Sequence, residues 1–157
     1  MDRVREAQQF GVARLPRLGR ELGWVAAVKV SKRFHRLVSG LLAVGVDRMD
    51  YSKGLPNRFE AYGRLLERHP EHRRRIHFLQ ICPRSREEVD EYRKLRSELD
   101  RLAGRINGRF SYFDWTPLRY STRAAPRSTL AGLYRLARIG LVTPLRDGMN
   151  QIGRAHV

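Results

Sequence analysis

The sequence predicts an α/β fold built on a mostly parallel sheet, and three observations carry that expectation. Short, continuously apolar runs recur along the chain, at 41–46 (LLAVGV), 76–82 (IHFLQIC) and 139–143 (IGLVT). Runs of this length without polar alternation suit strands covered on both faces. Between them lie longer stretches whose apolar residues fall three and four positions apart, the spacing of an amphipathic helix. The two kinds of segment alternate, as they do where helices pack on a parallel sheet.

Taken in order, the first strand at 41–46 is followed by a polar loop, DRMDYSKG, at 47–54. Pro56 then opens a helix, at a position where its missing N–H is no loss. Phe59, Tyr62, Leu65 and Leu66 give that helix one apolar face, and His69 and Pro70 end it. The second strand, 76–82, leads through a loop at 83–85 into a long helix at 86–102. Val89, Tyr92, Leu95, Leu99 and Leu102 form its apolar stripe, and Gly104 reads as its C-terminal stop. Phe110, Tyr112 and Trp115 read as a strand that Thr116 and Pro117 break. Leu130, Leu133, Tyr134 and Ala137 mark a third helix, introduced by Pro126. The last strand, 139–143, runs into the loop PLRDGMN at 144–150. Residues 1–40 are less patterned. Val25, Val28, Phe34 and Leu37 fit one loose helical face, among nine basic residues and few turn signals.

Composition narrows the class. The 157 residues, 41% of them hydrophobic, are enough for one domain with a core. The sequence has no apolar run of the about 20 residues that a membrane helix needs. Met1 is followed by Asp2, Arg3 and Arg5 and no apolar stretch, so no secretory signal is expected. Cys82 is the lone cysteine, which rules out an internal disulfide and suits a cytoplasmic location. The net charge of +16 invites a polyanion partner, and a small basic nucleic-acid-binding module is the second reading of the chain. The cations, however, are 28 Arg and 4 Lys, a skew that a GC-rich genome produces without a functional cause, and they are spread along the chain. Neither a zinc spacing, an RNA-recognition signature, a Walker loop nor GxGxxG occurs, and the five histidines have no metal-ligand spacing. No metal is expected.

In open α/β sheets, ligands bind outside the carboxyl ends of the strands. The loops expected there carry Arg48, Lys53, Arg86 and Asp147. Arg48 and Lys53 share the loop DRMDYSKG. A guanidinium grips two phosphate oxygens and an ammonium adds a point charge, so together they suit a diphosphate. The plainer reading is a loop of solvated charges, with Arg48 paired to Asp47 or Asp50. Arg86 lies in PRSREEV beside a capping-box pattern, Ser85 and Glu88. It stands either at an anion-binding helix N-terminus or as a first-turn residue facing water. In LRDGMN, Asp147 is suited to accept hydrogen bonds from sugar hydroxyls. Gly148 permits close approach, and Met149 and Asn150 would open a helix with free N–H groups. Alone, this loop reads better as an ordinary Asp-Gly turn.

Four motifs in register add a resemblance. GVDRMDYSKGLPNRFEAYGRLLERHPEH (45–72), RINGRF (105–110), DWTPLRY (114–120) and LVTPLRDGMN (141–150) resemble the trehalose-6-phosphate synthase family, in its order and spacing. The resemblance covers residues 41–150. It implies a Rossmann-like C-terminal domain of a two-domain, GT-B-type glycosyltransferase. That family transfers glucose from UDP-glucose to glucose 6-phosphate with retention, giving trehalose 6-phosphate and UDP, without metal or further cofactor. It implies that Arg48 and Lys53 hold the donor diphosphate and stabilise departing UDP, so that they are the catalytic pair. Arg86 matches the arginine that reaches the acceptor phosphate. Asp147, Gly148, Met149 and Asn150 match the loop that holds the transferred glucose. Ala125 stands near the uracil contact, where a bulkier residue is common. A homo-oligomer of the intact enzyme is compatible with the resemblance, and a membrane partner is not implied.

The ends depart from the family. Residues 1–40 are expected to be a lead segment altered by a frameshift or misassembly, and 41–150 a partial nucleotide-sugar-binding domain. Residues 151–157 are expected to be a non-native tail, because IGRAHV is the translation of ATC-GGA-AGA-GCA-CAC-GTC, which resembles a sequencing adapter. The chain is therefore expected to be a fragment, inactive alone.

Overall fold

The computed structural model describes residues 12–13, 40–83 and 90–146. They form a five-stranded sheet in the order β1-β5-β2-β3-β4. Strands β2 (Leu41–Val46), β3 (Ile76–Ile81), β4 (Leu118–Ser121) and β5 (Ile139–Leu141) run parallel. A two-residue strand, β1 (Val12–Ala13), pairs antiparallel with β5 at the edge. Among the described residues three helices cover the sheet: α1 (Leu55–Arg68), α2 (Asp90–Phe110) and α3 (Arg127–Leu136).

The strands read as unbroken apolar runs because both faces are covered. On one face Ala43, Ile76, Phe78 and Leu118 meet Leu55, Phe59, Tyr62 and Leu66 of α1 and Leu95, Leu99, Leu102 and Ile106 of α2. On the other, Leu42, Val44 and Ile81 meet Leu133 of α3 and Ala137 just beyond it. Successive residues of a strand point to opposite faces, so Leu42 and Ala43 serve different cores. Phe59 sits edge-on to Phe78 and Tyr120, with ring centroids 5.9 and 5.6 Å away. Phe59 and Phe78 are fully buried, and each contributes about 1.5–3 kcal/mol. The Tyr62 hydroxyl donates to Ile76 O at 2.9 Å and Pro117 O at 3.1 Å, joining α1 to the chain entering β3 and β4. Burial pushes its pKa upward.

Proline sets two helix starts as expected: Pro56 lies in the first turn of α1, and Pro126 caps α3. Two expectations fail. Gly104 does not stop α2, which continues to Phe110. Ile106 and Phe110 extend the buried stripe of Leu99, Leu102 and Ala103, and that packing outweighs the poor helix propensity of an exposed glycine. Phe110, Tyr112 and Trp115 are consequently no strand. Phe110 closes the helix, and Tyr112 and Trp115 form one antiparallel bridge. The strand follows at β4, where the Asn107 side chain holds both backbone groups of Leu118, at 2.9 and 3.1 Å. β3 and β5 each stop short of the expected end, at Ile81 and Leu141. Val25, Val28, Phe34, Leu37 and Val89 lie outside the described residues. Among the described residues, no helix is long and apolar enough to cross a membrane.

Candidate functional site

Strands β5, β2 and β3 lie side by side and parallel, so the segments leaving them meet at one edge of the sheet. The loop after β2, residues 47–54, lies at the centre. On one side Asp47 N donates to Ile81 O at 3.1 Å and Met49 N to Pro83 O at 3.0 Å. On the other, Leu145 N donates to Ser52 O at 2.7 Å. The loop is thus held by main-chain bonds to the segments after both neighbouring strands.

Its own conformation is set locally. The Asp50 side chain accepts from Ser52 N at 2.9 Å and caps a single 3-10 turn, Tyr51–Lys53. Gly54 then takes a left-handed conformation, φ 61°, and starts α1. A side chain there would place its Cβ 2.4 Å from Thr143 O, so glycine is required twice over, by backbone angle and by contact. Burial raises the Asp50 pKa, but hydrogen bonds from Ser52 and the Tyr92 hydroxyl, together with the Arg48 charge, leave it below the usual value.

On this loop Arg48 is exposed, whereas Lys53 is buried at 8% exposure. Both cations predicted from the sequence are therefore on one rigid loop at the carboxyl edge. Arg86 and the residues Asp147, Gly148, Met149 and Asn150 lie outside the described residues. The chain leading toward each is at this edge, through Pro83 and Leu145. Ala125, near the expected uracil contact, packs partly buried against the α3-side core.

One residue of the edge escaped the sequence reading. Arg58, on the first turns of α1, is only 2% exposed. Its Nη1 donates to Asp47 Oδ2 at 2.5 Å and to Gln80 Oε1 at 2.8 Å, and its Nε to Thr143 Oγ1 at 3.0 Å. Asp47 therefore pairs with Arg58 and not with Arg48. The space for the guanidinium exists because Gly45 faces Gln80 across the ladder. A Cβ on Gly45 would come within 2.2 Å of Gln80 Oε1 and 2.7 Å of Arg58 Nη1. A sequence signal was present: Arg58 lies on the same helical face as Leu55, Phe59, Tyr62 and Leu66. A charge on a buried stripe needs a buried partner.

Two other groups bear on chemistry. Cys82, fully buried at the end of β3, has its thiol pKa pushed up to about 12, by burial first and by Asp47 second. That makes it a packing residue and a poor nucleophile. At the opposite edge, His69, Glu71 and His72 bring their ligand atoms within 4.8 Å of one another. The 3-10 turn Pro70–His72 creates this cluster from an H-x-x-H spacing, shorter than that of zinc sites. It is open to solvent and flanked by Arg68, Arg73, Arg74 and Arg75, a field that opposes a cation.

A conserved-domain comparison decides the family: the model described as Glycosyltransferase family 20 matches residues 24–157. The chain belongs to glycosyltransferase family 20. Its relative in Sodalis glossinidius, a trehalose-6-phosphate synthase, is 52% identical over 120 residues, which cover 76% of this chain and 26% of that protein. Two solved structures are similar. One is an alpha,alpha-trehalose-phosphate synthase (UDP-forming) from Burkholderia xenovorans in complex with glucose-6-phosphate. It has a TM-score of 0.75 and 44% identity, over 80% of this chain and 29% of that one. The other is an E. coli protein described as trehalose-6-phosphate bound with UDP-2-fluoro glucose. Its TM-score is 0.75 at 40% identity, over 95% of this chain and 30% of that one. The family 20 chain spans about a quarter of the length of the curated relatives it matches. Its α/β architecture with a mostly parallel, Rossmann-like sheet agrees with the GT-B glycosyltransferases among its solved neighbours.

Proposed function

We propose that this chain forms the donor-binding side of a trehalose-6-phosphate synthase. The whole enzyme would transfer glucose from UDP-glucose to glucose 6-phosphate, with retention, and release trehalose 6-phosphate and UDP. The observation that carries this reading is the placement of Arg48 and Lys53 on one clamped loop at the carboxyl edge of the parallel strands. The similarity to enzymes studied with glucose-6-phosphate and a UDP-glucose analogue supports the same choice of substrates. As the bond between glucose and the diphosphate breaks, negative charge grows on the departing UDP. Cations already fixed at that place stabilise the charge without reorganising. In this reading Arg86 reaches the acceptor phosphate. Asp147, with the backbone of Gly148, Met149 and Asn150, holds the glucose. The rest of the enzyme supplies the acceptor side, so this chain alone gives no transfer. A chain with a single reduced cysteine suits the cytoplasm.

The nucleic-acid reading is not favoured. Many described arginines are engaged with carboxylates of the same surface: Arg109 with Glu67, Arg105 with Glu60, Arg96 with Asp100 and Arg74 with Asp114. They do not make one unopposed basic stripe.

Calorimetric titration of the chain with UDP, against a single-stranded oligonucleotide at physiological salt, tests the proposal. UDP is expected to bind, and Arg48→Ala and Lys53→Ala each to weaken it about tenfold or more, the loss of one charge-assisted contact. In the whole enzyme the same changes should lower turnover about 100-fold. UDP affinity unchanged in both variants, or preference for the oligonucleotide, would refute the assignment.

A further inference from the structure

Arg58 bonds to both halves of this edge. Asp47 begins the loop that carries Arg48 and Lys53, Gln80 is in β3, and Thr143 belongs to the segment between β5 and Asp147. Main-chain bonds tie the loop to each neighbouring segment separately, Asp47 N to Ile81 O and Leu145 N to Ser52 O, but no single main-chain group among the described residues reaches all three. The Arg58 guanidinium does, with bonds of 2.5, 2.8 and 3.0 Å from one buried group. Thr143 Oγ1 also lies 3.5 Å from Gly54 O, at the turn that follows Lys53. Nη2 of Arg58, also buried, has no hydrogen-bond partner among the described residues. A charged group buried at this cost is held by geometry and not by solvation, and planar Arg supplies fixed directions that a flexible ammonium does not.

We propose that Arg58 is a positioning residue of the donor site: it fixes the Arg48–Lys53 loop against the segment that leaves β5 at Thr143, so that the two cations are held in place for one nucleoside diphosphate sugar. Arg58 does this through Asp47 and Thr143 and does not itself touch the ligand. The inference rests on the donor-site reading above. It adds a residue that no resemblance assigned, and it gives Thr143 and Gly45 a purpose. Thr143 presents the hydroxyl that receives Nε, and Gly45 leaves the room in which the fork lies.

The test uses the full chain, with UDP as probe, and two variants that retain bulk. Thr143→Val removes the link between Arg58 and the segment after β5, together with the longer 3.5 Å contact of the same hydroxyl with Gly54 O. Arg58→Lys keeps a positive charge for Asp47 but cannot make the three-way fork. Both are expected to stay folded by circular dichroism and to bind UDP about tenfold more weakly, the equivalent of one charge-assisted hydrogen bond. In Thr143→Val the Leu145 amide, which bonds to Ser52 O, is expected to exchange with solvent faster, while amides of β2 and β3 keep their protection. UDP affinity equal to wild type in both folded variants overturns the positioning assignment and leaves the donor-site reading standing. A loss of affinity that tracks only the unfolded fraction also overturns it, because the part played would then be structural alone. Failure of the wild-type chain to bind UDP overturns the donor-site reading and this inference with it.

Discussion

The two edges of the sheet handle charge in opposite ways. At the carboxyl edge Asp47, Lys53 and Arg58 are buried, and the Asp47–Arg58 pair has side chains only 5% and 2% exposed. At the amino edge, the turn before β3 carries His69, Glu71, Arg74 and Arg75, largely in water. Its pair of Arg74 with Asp114 is 57% and 63% exposed. Exposed pairs are screened and contribute little, whereas a buried pair, once its desolvation is met, fixes its partners in place. The contrast teaches that a net charge of +16 does not locate function. What separates the two edges is which charges the fold withdraws from water: at the carboxyl edge Asp47, Lys53 and Arg58 are buried.

The largest test of this contrast is Arg58→Met. It leaves Asp47 buried without a counter-charge, and chemical denaturation should show a loss of about 3–5 kcal/mol. Retention of wild-type stability would mean that the carboxyl edge is no more constrained than the amino edge. Gly54→Ala comes next. Its left-handed backbone and the approach to Thr143 O should together cost about 1–3 kcal/mol, read as a lowered thermal midpoint. The smallest effect is expected from Arg74→Gly. Arg74 also has a positive φ, 63°, but stands in solvent. Relief of its backbone opposes loss of the Asp114 pair and of the contact over Tyr112, so the net change should stay within about 1 kcal/mol. A large destabilisation there would erase the distinction between the two edges.

Much of this architecture is legible in local sequence. The runs at 41–46 and 76–81 are strands because nothing polar interrupts them except groups with partners inside, such as Gln80. Pro56 fits the first turn of α1 because its missing N–H is no loss there, and Pro126 stands one residue before α3 as its cap. The pairing of Arg48 with Lys53 on one loop follows from their short separation. Other features depend on contacts distant in sequence. Gly104 looks like a helix stop until Ile106 and Phe110 are seen to continue a stripe buried against α1 and the sheet. The aromatic run Phe110, Tyr112 and Trp115 reads like a strand, but Tyr112 and Trp115 form one isolated bridge with each other, and the strand begins at Leu118, held by Asn107.

Arg58 marks the boundary most clearly. Its helical spacing already placed it on an apolar face, which is as far as periodicity reaches. That it pairs with Asp47, 11 residues back, and reaches Gln80 and Thr143, 22 and 85 residues on, was decided only when the parallel strands came side by side. Periodicity determines which way a side chain faces, because it is a property of the backbone of one segment. The partner it finds there is set by the register between segments, which arises only when β5, β2 and β3 pack together and exclude the water that would otherwise have solvated each charge separately.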